Sequence, residues 1–233
     1  CPADRIIGEP AKRDTAPAAA LATALTYAHN PAGLVALLPA DAKIYDTAAF
    51  RKNFADAVDY ASREAAILTI AIPPSFPSTG FGYLQLGEEI GEGPNGSQLL
   101  AVQQFVEKPD LERANHYLAS GNYAWNAGMF VWRAELFLEE ARKQAPELAA
   151  FIEQFPKEES EGYVAEKFPL LPKISVDYAI MENAARVSAV KAEFDWDDVG
   201  TWAALPTHLP QDENGNTVRG QTALVDAKNN IAI

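Results

Sequence analysis

Two acidic positions far apart in the chain are the residues best suited to hold a metal ion. Asp198 lies in the stretch WDDVGTW at residues 196–202, and Asp41 follows the apolar run LVALL at residues 34–38. A carboxylate placed between aromatic rings costs free energy unless a cation or hydrogen bonds stabilise it. Mg²⁺ beside a nucleotide is commonly held by one or two protein carboxylates, while phosphate and water complete its shell. The two residues therefore predict a Mg²⁺ site.

Each of these acids also has a simpler interpretation. Asp is a preferred helix N-cap, so Asp198 could cap a helix that starts near Thr201, and Asp41 could cap the next helix in the chain. The case for a metal depends on residues 34–38, which are typical of a fully buried parallel strand. Open α/β sheets bind ligands beyond the carboxyl ends of such strands, and Asp41 is expected at that edge.

A Glu-Lys pair and an asparagine offer groups that suit a phosphorylated sugar. Glu107 and Lys108 stand at the end of a predicted strand, before a proline. Lys is a compact charge for a phosphate, and a carboxylate can accept hydrogen bonds from hydroxyls. Asn126, inside the aromatic segment of residues 123–132, carries both donors and an acceptor. The alternatives are a solvated strand end for the charged pair and a hydrophobic core for the aromatic residues.

The segment EPAKRDTAP at residues 9–17 combines mixed charge with the start of a predicted helix. Helix N-termini attract anions, and Arg13 would add to that positive field. Guanine presents N–H donors on its pairing edge, which an acceptor such as Asp14 could bind. Helix capping by Asp14 or Thr15 is the alternative, and it is compatible with a ligand contact.

Composition limits the classes of function that remain. The net charge of −13 over 233 residues argues against general binding to nucleic acids or anionic membranes, although a nucleotide needs only a local positive site. A single cysteine excludes an internal disulfide framework and favours a cytoplasmic location. No apolar run in the sequence reaches the length of a membrane span. The terminal Cys1 and the three histidines lack the spacing of a nucleophile or metal centre.

Strand and helix patterns alternate along the chain and predict an α/β fold. We expect a Rossmann-like mixed, mainly parallel sheet with helices on both faces. The predicted strands are residues 5–7, 34–38, 66–72, 82–86, 99–105, 129–132 and 188–191. The predicted helices are residues 16–27, 47–62, 110–120 and 134–144, and further helical segments reach about residue 184. The tail from residue 212 is expected to begin a small all-β unit.

Taken together, several segments resemble bacterial mannose-1-phosphate guanylyltransferases, of the sugar-nucleotidyltransferase superfamily. The segments occur in family order and are residues 9–17, 37–41, 80–84, 105–109, 125–132, 175–182 and 196–202. The RDTAP stretch points to the guanylyl branch. The resemblance implies the nucleotide-diphospho-sugar transferase fold and the conversion of GTP and mannose 1-phosphate into GDP-mannose and pyrophosphate, by in-line attack on the α-phosphorus.

The resemblance also implies a role for each candidate residue. Asp41, Lys108 and Asp198 would be catalytic, the two aspartates by holding Mg²⁺ and the lysine by binding the sugar phosphate. The implied substrate-binding residues, which contact either the nucleotide or the sugar, are Arg13, Asp14, Thr15, Pro17, Gly82, Tyr83, Glu107 and Asn126. Expected partners are GTP and mannose 1-phosphate, with no nucleic acid or membrane, and a homodimer is one expected assembly.

The resemblance predicts the domain boundaries of the chain, and the sequence differs from the family pattern in two places. Residues 1–208 are expected to form the nucleotidyltransferase domain, and residues 209–233 a linker with the start of a β-helical or small all-β segment. The family opens with a strand and a Gly-rich phosphate-binding loop, and this chain starts after them, so the span alone is expected to be inactive. Asp14 stands where the family usually has Asn.

Two other functions remain open. One is a relative that transfers another nucleotide or accepts another hexose phosphate. The second is a catalytically silent regulatory homologue that binds sugar nucleotides without turning them over.

Overall fold

The structure, a computed structural model, describes residues 6–158, 160–200 and 202–233, and of Ala203 only the backbone. The chain divides into two compact units, Cys1–Leu38 with Asp46–Phe194, and Pro39–Tyr45 with Asp195–Ile233. The second unit therefore begins before the expected boundary at residue 209 and includes a short segment from the first third of the chain. The assignment of domains stays a prediction.

The described part of the first unit folds around a six-stranded mixed sheet. Its strands are β1 Leu34–Leu37, β2 Ile67–Ile72, β3 Tyr83–Glu92, β4 Gln98–Val106, β5 Tyr123–Arg133 and β6 Val187–Lys191. Their spatial order is β1-β5-β2-β6-β4-β3, and β5 also pairs with β3. The β2–β6 pairing is parallel and the others are antiparallel, yet β1, β2, β3 and β6 all run in one direction. The predicted α/β class with a mixed sheet is confirmed, but the sheet is not mainly parallel in its pairings, because β4 and β5 run against their neighbours.

Helices cover the sheet in two layers. They are α1 Thr15–His29, α2 Thr47–Arg63, α3 Leu111–Ser120, α4 Ala134–Gln144, α5 Pro146–Glu153, α6 Ser160–Lys167 and α7 Val176–Ala179. Every residue of β2 is buried, and successive side chains of a strand point to opposite faces. Ile67 and Ala71 join the core cluster that contains α1, α4 and α5, while α2 packs against β2 and β6 outside that cluster.

Two strand predictions near the N-terminus are wrong. The strand at residues 34–38, expected to be parallel and fully buried, ends at Leu37, pairs antiparallel with β5 and is only partly buried. It lies at one end of the strand order, so it has a neighbour on one side only. Of the strand expected at residues 5–7, Arg5 lies outside the described residues. Ile6 and Ile7 are exposed and irregular, and none of the described strands pairs with them.

The second unit contains a 3₁₀ turn at Trp202–Ala204, α8 Leu205–His208, β7 Thr217–Val218 and β8 Ile231–Ala232. β7 and β8 form a small parallel pair, which confirms the predicted β segment in the tail. Asn216 supports this pair because its side-chain oxygen accepts a hydrogen bond from the Asn230 backbone at 3.0 Å. None of the helices that the described residues form combines the length and apolarity needed to cross a membrane.

A buried carboxylate of α2 holds the turn between β3 and β4. Asp56 accepts hydrogen bonds from the backbone and side-chain nitrogens of Asn95 at 2.9 and 2.7 Å, and from the backbone of Ser97 at 3.0 Å. Burial by itself raises the pKa of Asp56, but the hydrogen bonds from Ser97 and Asn95 outweigh it and lower the pKa. The ionised form is therefore part of the fold.

We expect Asp56→Ala to lower the free energy of unfolding by about 1–3 kcal/mol, because the buried Ser97 backbone N–H loses its acceptor. Since the pKa of Asp56 is lower in the folded state, this contribution is present above the unfolded pKa and is lost as the pH falls through the folded pKa. Urea unfolding at pH 7 and at decreasing pH measures both effects. Asp59→Asn, at a partly exposed position on the same helix, is the control. Equal stability of Asp56→Ala and the wild type at pH 7 would contradict the prediction.

Candidate functional site

Glu107 and Lys108 follow β4 at a sharp backbone turn. Lys108 has a φ of 45°, in the left-handed region that favours glycine. Although neighbouring strand residues would point to opposite faces, the Lys108 Nζ lies 3.2 Å from the Glu107 Oε1. The side chain of Glu107 is 9% exposed and that of Lys108 is 57% exposed. The pair is thus a buried carboxylate beside an accessible cation, and it is not an ordinary solvated strand end.

Gly82 leaves the space that the Glu107 carboxylate occupies. A Cβ at Gly82 would lie 2.5 Å from the Glu107 Oε2 and 3.4 Å from the Asn126 Cβ. The Gly82 carbonyl also accepts a hydrogen bond from the Asn126 backbone nitrogen at 2.8 Å. Any side chain at this position must displace Glu107.

Tyr83, which was predicted to contact substrate, has a fully buried side chain. Its hydroxyl donates to the Ser78 carbonyl at 2.9 Å. The ring therefore has no exposed face for a ligand, and its contacts fix the loop between β2 and β3.

Three hydrogen bonds of its side chain fix the orientation of the buried Asn126. Its Oδ1 accepts from the Thr69 hydroxyl at 3.1 Å and from the Gly128 backbone nitrogen at 3.2 Å. Its Nδ2 donates to the Asp177 Oδ1 at 2.9 Å. Gly128 has a φ of 67°, a backbone conformation that glycine adopts without strain. A hydrophobic core, the alternative interpretation of this segment, explains why the neighbouring aromatic residues are buried. It does not explain Asn126, whose side chain is held by this polar network.

Asp177 is a site residue that the sequence did not reveal. The segment at residues 175–182 matched the family pattern, but no role was predicted for its acid. A Ser followed two residues later by Asp is an ordinary helix start, and Ser175 does cap α7. The contact with Asn126 joins residues 51 positions apart, which local patterns do not show.

The two carboxylates and the lysine interact electrostatically. Burial raises the pKa of Glu107, and the charge of Asp177 raises it further. Burial also raises the pKa of Asp177, against the lowering effect of hydrogen bonds and of the Lys108 charge. The hydrogen bond with Glu107 and the charge of that residue raise the pKa of Lys108, so its ammonium stays charged at neutral pH. These three side chains can neutralise a phosphate and bind hydroxyls.

The residues predicted for the nucleotide lie at the start of α1. Asp14 is exposed, has a φ of 69° and accepts a hydrogen bond from the Thr15 backbone at 2.9 Å. The Thr15 hydroxyl accepts from the Val176 backbone at 2.9 Å, and the Arg13 guanidinium donates to the Pro169 carbonyl. Pro17 is buried in the first turn of the helix. Capping and packing contacts are thus present at each of these positions, and their nucleotide-binding roles stay predictions.

Asp41 and Asp198 both belong to the second unit. The Lys43 backbone nitrogen donates to the Asp197 carbonyl at 2.7 Å, and the reverse bond measures 3.1 Å. This antiparallel bridge places the two acidic segments side by side. The Asp198 Oδ1 accepts from the Gly200 backbone at 3.3 Å, and Asp41 is exposed.

One expectation about the WDDVGTW stretch is not met, and a second falls on a residue outside the described ones. Trp202 is 71% exposed, and Asp198 is only partly buried, so the acids are not enclosed between the indoles. Thr201, near which a helix was expected to start, lies outside the described residues. A 3₁₀ turn at Trp202–Ala204 then leads directly into α8. Asp198 accepts a hydrogen bond within the preceding loop.

The second unit can bind a hard cation whose coordination shell is completed by ligands from outside the protein, such as phosphate and water. Among the described residues, no three or more His, Cys, Asp or Glu side chains are grouped so as to hold a metal ion. Two carboxylates on bridged segments nevertheless fit Mg²⁺, since such an ion in nucleotide sites keeps phosphate and water ligands. That Asp41 and Asp198 share one cation stays a prediction.

Comparisons with known proteins identify the family of the chain. The sequence profile of the family described as Nucleotidyl transferase matches residues 4–215. The mannose-1-phosphate guanylyltransferase of Escherichia coli K12 is 38% identical over 229 residues, which cover 93% of this chain and 46% of that protein. The xanthan biosynthesis protein XanB of Xanthomonas campestris pv. campestris B100 is 38% identical over 232 residues, covering 97% of this chain and 48% of XanB.

A solved structure extends the comparison to the fold. A crystal structure from Thermus thermophilus, named as a mannose-1-phosphate geranyltransferase, has a TM-score of 0.80 and 34% identity. The similarity covers 93% of this chain and 61% of that one.

The resemblance found from short segments is confirmed by these matches. The chain spans about half the length of the curated relatives that it matches. Nucleotidyl transferases generally use a divalent metal ion, which suits the acidic pair of the second unit. Because the family profile covers most of its length, the chain belongs to the nucleotidyl transferase family.

Proposed function

We propose that the protein transfers a guanylyl group from GTP to mannose 1-phosphate and produces GDP-mannose and pyrophosphate. The similarity to a mannose-1-phosphate guanylyltransferase over 93% of the chain supports this assignment. The structural observation that carries it is the group formed by Glu107, Lys108 and Asn126, an accessible cation beside a buried carboxylate and an oriented amide. These groups match a phosphate and neighbouring hydroxyls in one ligand.

The proposed reaction needs no protein nucleophile. An oxygen of the sugar phosphate forms a bond to the α-phosphorus of GTP while the bond to the pyrophosphate leaving group breaks. Such a step depends mainly on positioning and on neutralising charge. Lys108 would neutralise the sugar phosphate, Glu107 would accept hydrogen bonds from sugar hydroxyls, and Asn126 would donate its second N–H.

The metal and the nucleotide are assigned to other residues. Asp41 and Asp198 would hold Mg²⁺, which when bound supplies positive charge to phosphate oxygens. Asp14 would accept from guanine at the exposed start of α1, with Arg13, Thr15 and Pro17 shaping that segment. A cytoplasmic location is part of the proposal, and the single cysteine supports it. Assembly as a homodimer stays a prediction.

Base preference separates this function from transfer of another nucleotide. A ligand that binds only the native state stabilises it by about 2.7 kcal/mol at a hundredfold excess over Kd. We expect GDP-mannose to raise the melting temperature more than equal concentrations of UDP-mannose, dTDP-mannose or ADP-mannose, which differ from it only in the nucleoside. Equal shifts with all four compounds would count against the guanylyl assignment.

The same measurement, combined with an activity assay, distinguishes an enzyme from a catalytically silent regulatory homologue. Such a protein would show the shift with GDP-mannose without releasing pyrophosphate from GTP and mannose 1-phosphate. An enzyme shows both.

We expect Gly82→Ala to raise the KM for mannose 1-phosphate roughly tenfold, while the KM for GTP changes little. The added methyl group must push Glu107 from its place, since its Cβ would lie 2.5 Å from the Glu107 Oε2. Gly80→Ala is the matched control, because a Cβ there meets only the Ser78 hydroxyl at 3.7 Å. Initial rates with each substrate varied would show the effect. Indistinguishable KM values for the two variants would contradict a role of Glu107 at the sugar.

A further inference from the structure

The side-chain amide of Asn126 has a hydrogen-bond donor at its oxygen end and an acceptor at its nitrogen end. Gly128 offers a backbone N–H and Asp177 offers a carboxylate oxygen, so the two contacts define which end of the amide is oxygen and which is nitrogen. Thr69 adds a third bond at the oxygen. Within the described residues, the second N–H of Asn126 has no protein acceptor. One donor therefore remains for a ligand, in a direction set by the other three bonds.

Asp177 is itself held in place. It lies in the short helix α7, whose first backbone nitrogen, that of Val176, donates to the Thr15 hydroxyl at 2.9 Å. The Ala16 backbone nitrogen donates to the Ile174 carbonyl at 3.1 Å on the same side. The start of α1 thus fixes the backbone around Asp177, and the Asp177 carboxylate fixes the Asn126 amide.

We propose that Asp177 is a positioning residue, whose hydrogen bond to Asn126 Nδ2 directs the remaining N–H of that amide toward a hydroxyl of the hexose phosphate. The proposal rests on the proposed function, because it takes Asn126 to bind the sugar. The second donor of the amide lies free only while Asp177 and Gly128 hold its two ends. Without the Asp177 acceptor, the amide can rotate and present its oxygen or nitrogen in another direction.

The competing explanation is that Asp177 contacts the sugar directly. Substitutions that remove the charge or the acceptor of Asp177 help to distinguish this contact from a positioning role. Asn at position 177 would keep an oxygen that accepts from Asn126 Nδ2, but it would lose the negative charge. Ala would lose the acceptor. If the hydrogen bond matters, Asp177→Asn retains much of the affinity that Asp177→Ala loses.

Kinetics of a double-mutant cycle tests the inference. We expect Asp177→Ala and Asn126→Ala each to raise the KM for mannose 1-phosphate about 2- to 13-fold, as loss of one hydrogen bond of about 0.5–1.5 kcal/mol predicts. The double variant should be no worse than Asn126→Ala alone, because Asp177 acts through that residue. Asp177→Asn should stay within about twofold of the wild type, and the KM for GTP should not change. Glu182→Gln, which removes a carboxylate near Glu107, is the control for charge.

Additive effects of the two Ala substitutions would overturn the inference, as would equal damage by Asp177→Asn and Asp177→Ala. An equal loss for both substrates together with a lower melting temperature would indicate a purely structural role and would also overturn it. If Asn126→Ala leaves the KM for mannose 1-phosphate unchanged, the sugar assignment in the proposed function fails instead.

The side-chain amide signal of Asn126 in ¹⁵N-labelled protein tests the positioning itself without any turnover. We expect Asp177→Ala to shift this signal and Asp177→Asn to restore it. An unchanged signal in Asp177→Ala would overturn the inference even in a fully active enzyme.

Discussion

Asp198→Asn is expected to lower kcat for GDP-mannose formation by roughly 10²–10³, the range for losing one electrostatic contribution to a transition state. The neutral amide binds Mg²⁺ more weakly and supplies less charge to organise the phosphates. Asp198 has only one hydrogen bond among the described contacts, from the Gly200 backbone, and Asn keeps an oxygen that can accept it. The fold should therefore persist, and the circular dichroism spectrum and melting temperature should remain close to those of the wild type.

Two comparisons make this result specific to a metal site. Asp195→Asn is the control, because Asp195 lies in the same loop. Its carboxylate accepts a hydrogen bond from the Tyr45 backbone at 2.9 Å, and the variant should keep near wild-type activity. Asp41→Asn should resemble Asp198→Asn, and the double variant should lose little more than the worse single one, since groups that act as a unit are not additive. The Mg²⁺ concentration for half-maximal activity should rise in both single variants. Unchanged Mg²⁺ dependence would remove the metal assignment.

Lys108→Met is expected to raise the KM for mannose 1-phosphate about 10- to 100-fold, since a hydrogen bond to a charged group contributes about 1.5–3 kcal/mol. The substitution keeps the unbranched apolar stem of the side chain but removes the ammonium, so the buried Glu107 loses its cation at 3.2 Å. Repulsion between that carboxylate and the sugar phosphate adds to the loss. Lys108→Arg should restore only part of the affinity, because a planar guanidinium differs in shape from an ammonium.

Lys173→Ala, at an exposed lysine of the same unit, is the control for removing positive charge. Initial rates measured with mannose 1-phosphate varied at saturating GTP give the comparison. Equal KM values for Lys108→Met and Lys173→Ala would show that the sugar phosphate binds elsewhere.

Local sequence signals were enough to place most helices. The α3 helix begins after Asp110, which caps the Arg113 backbone at 2.8 Å, and it ends at Gly121 with a φ of 73°. Both ends follow from the chemistry of a few neighbouring residues. The mainly apolar run of β2 was also visible in the sequence, because strands buried on both faces are rich in apolar side chains.

The remaining features depend on contacts between distant parts of the chain. The apolar run at β1 does not reveal that its neighbour is the antiparallel β5. The sequence alone gives no sign that the Arg13 guanidinium meets the Pro169 carbonyl, 156 positions along the chain. The φ of 45° at Lys108 could not be predicted either, because a positive φ is uncommon for a residue with a side chain. Strained backbone of this kind is often found at functional sites.

The most direct test of the account is pyrophosphate release by the intact protein supplied with GTP, mannose 1-phosphate and Mg²⁺. We predict turnover that stops when the metal is chelated and that is at least tenfold faster with GTP than with UTP, dTTP or ATP. We also predict that glucose 1-phosphate is the poorer acceptor. Absence of pyrophosphate release from a folded protein that binds GDP-mannose would contradict the proposed enzyme, and equal rates with GTP and UTP would contradict its guanylyl specificity.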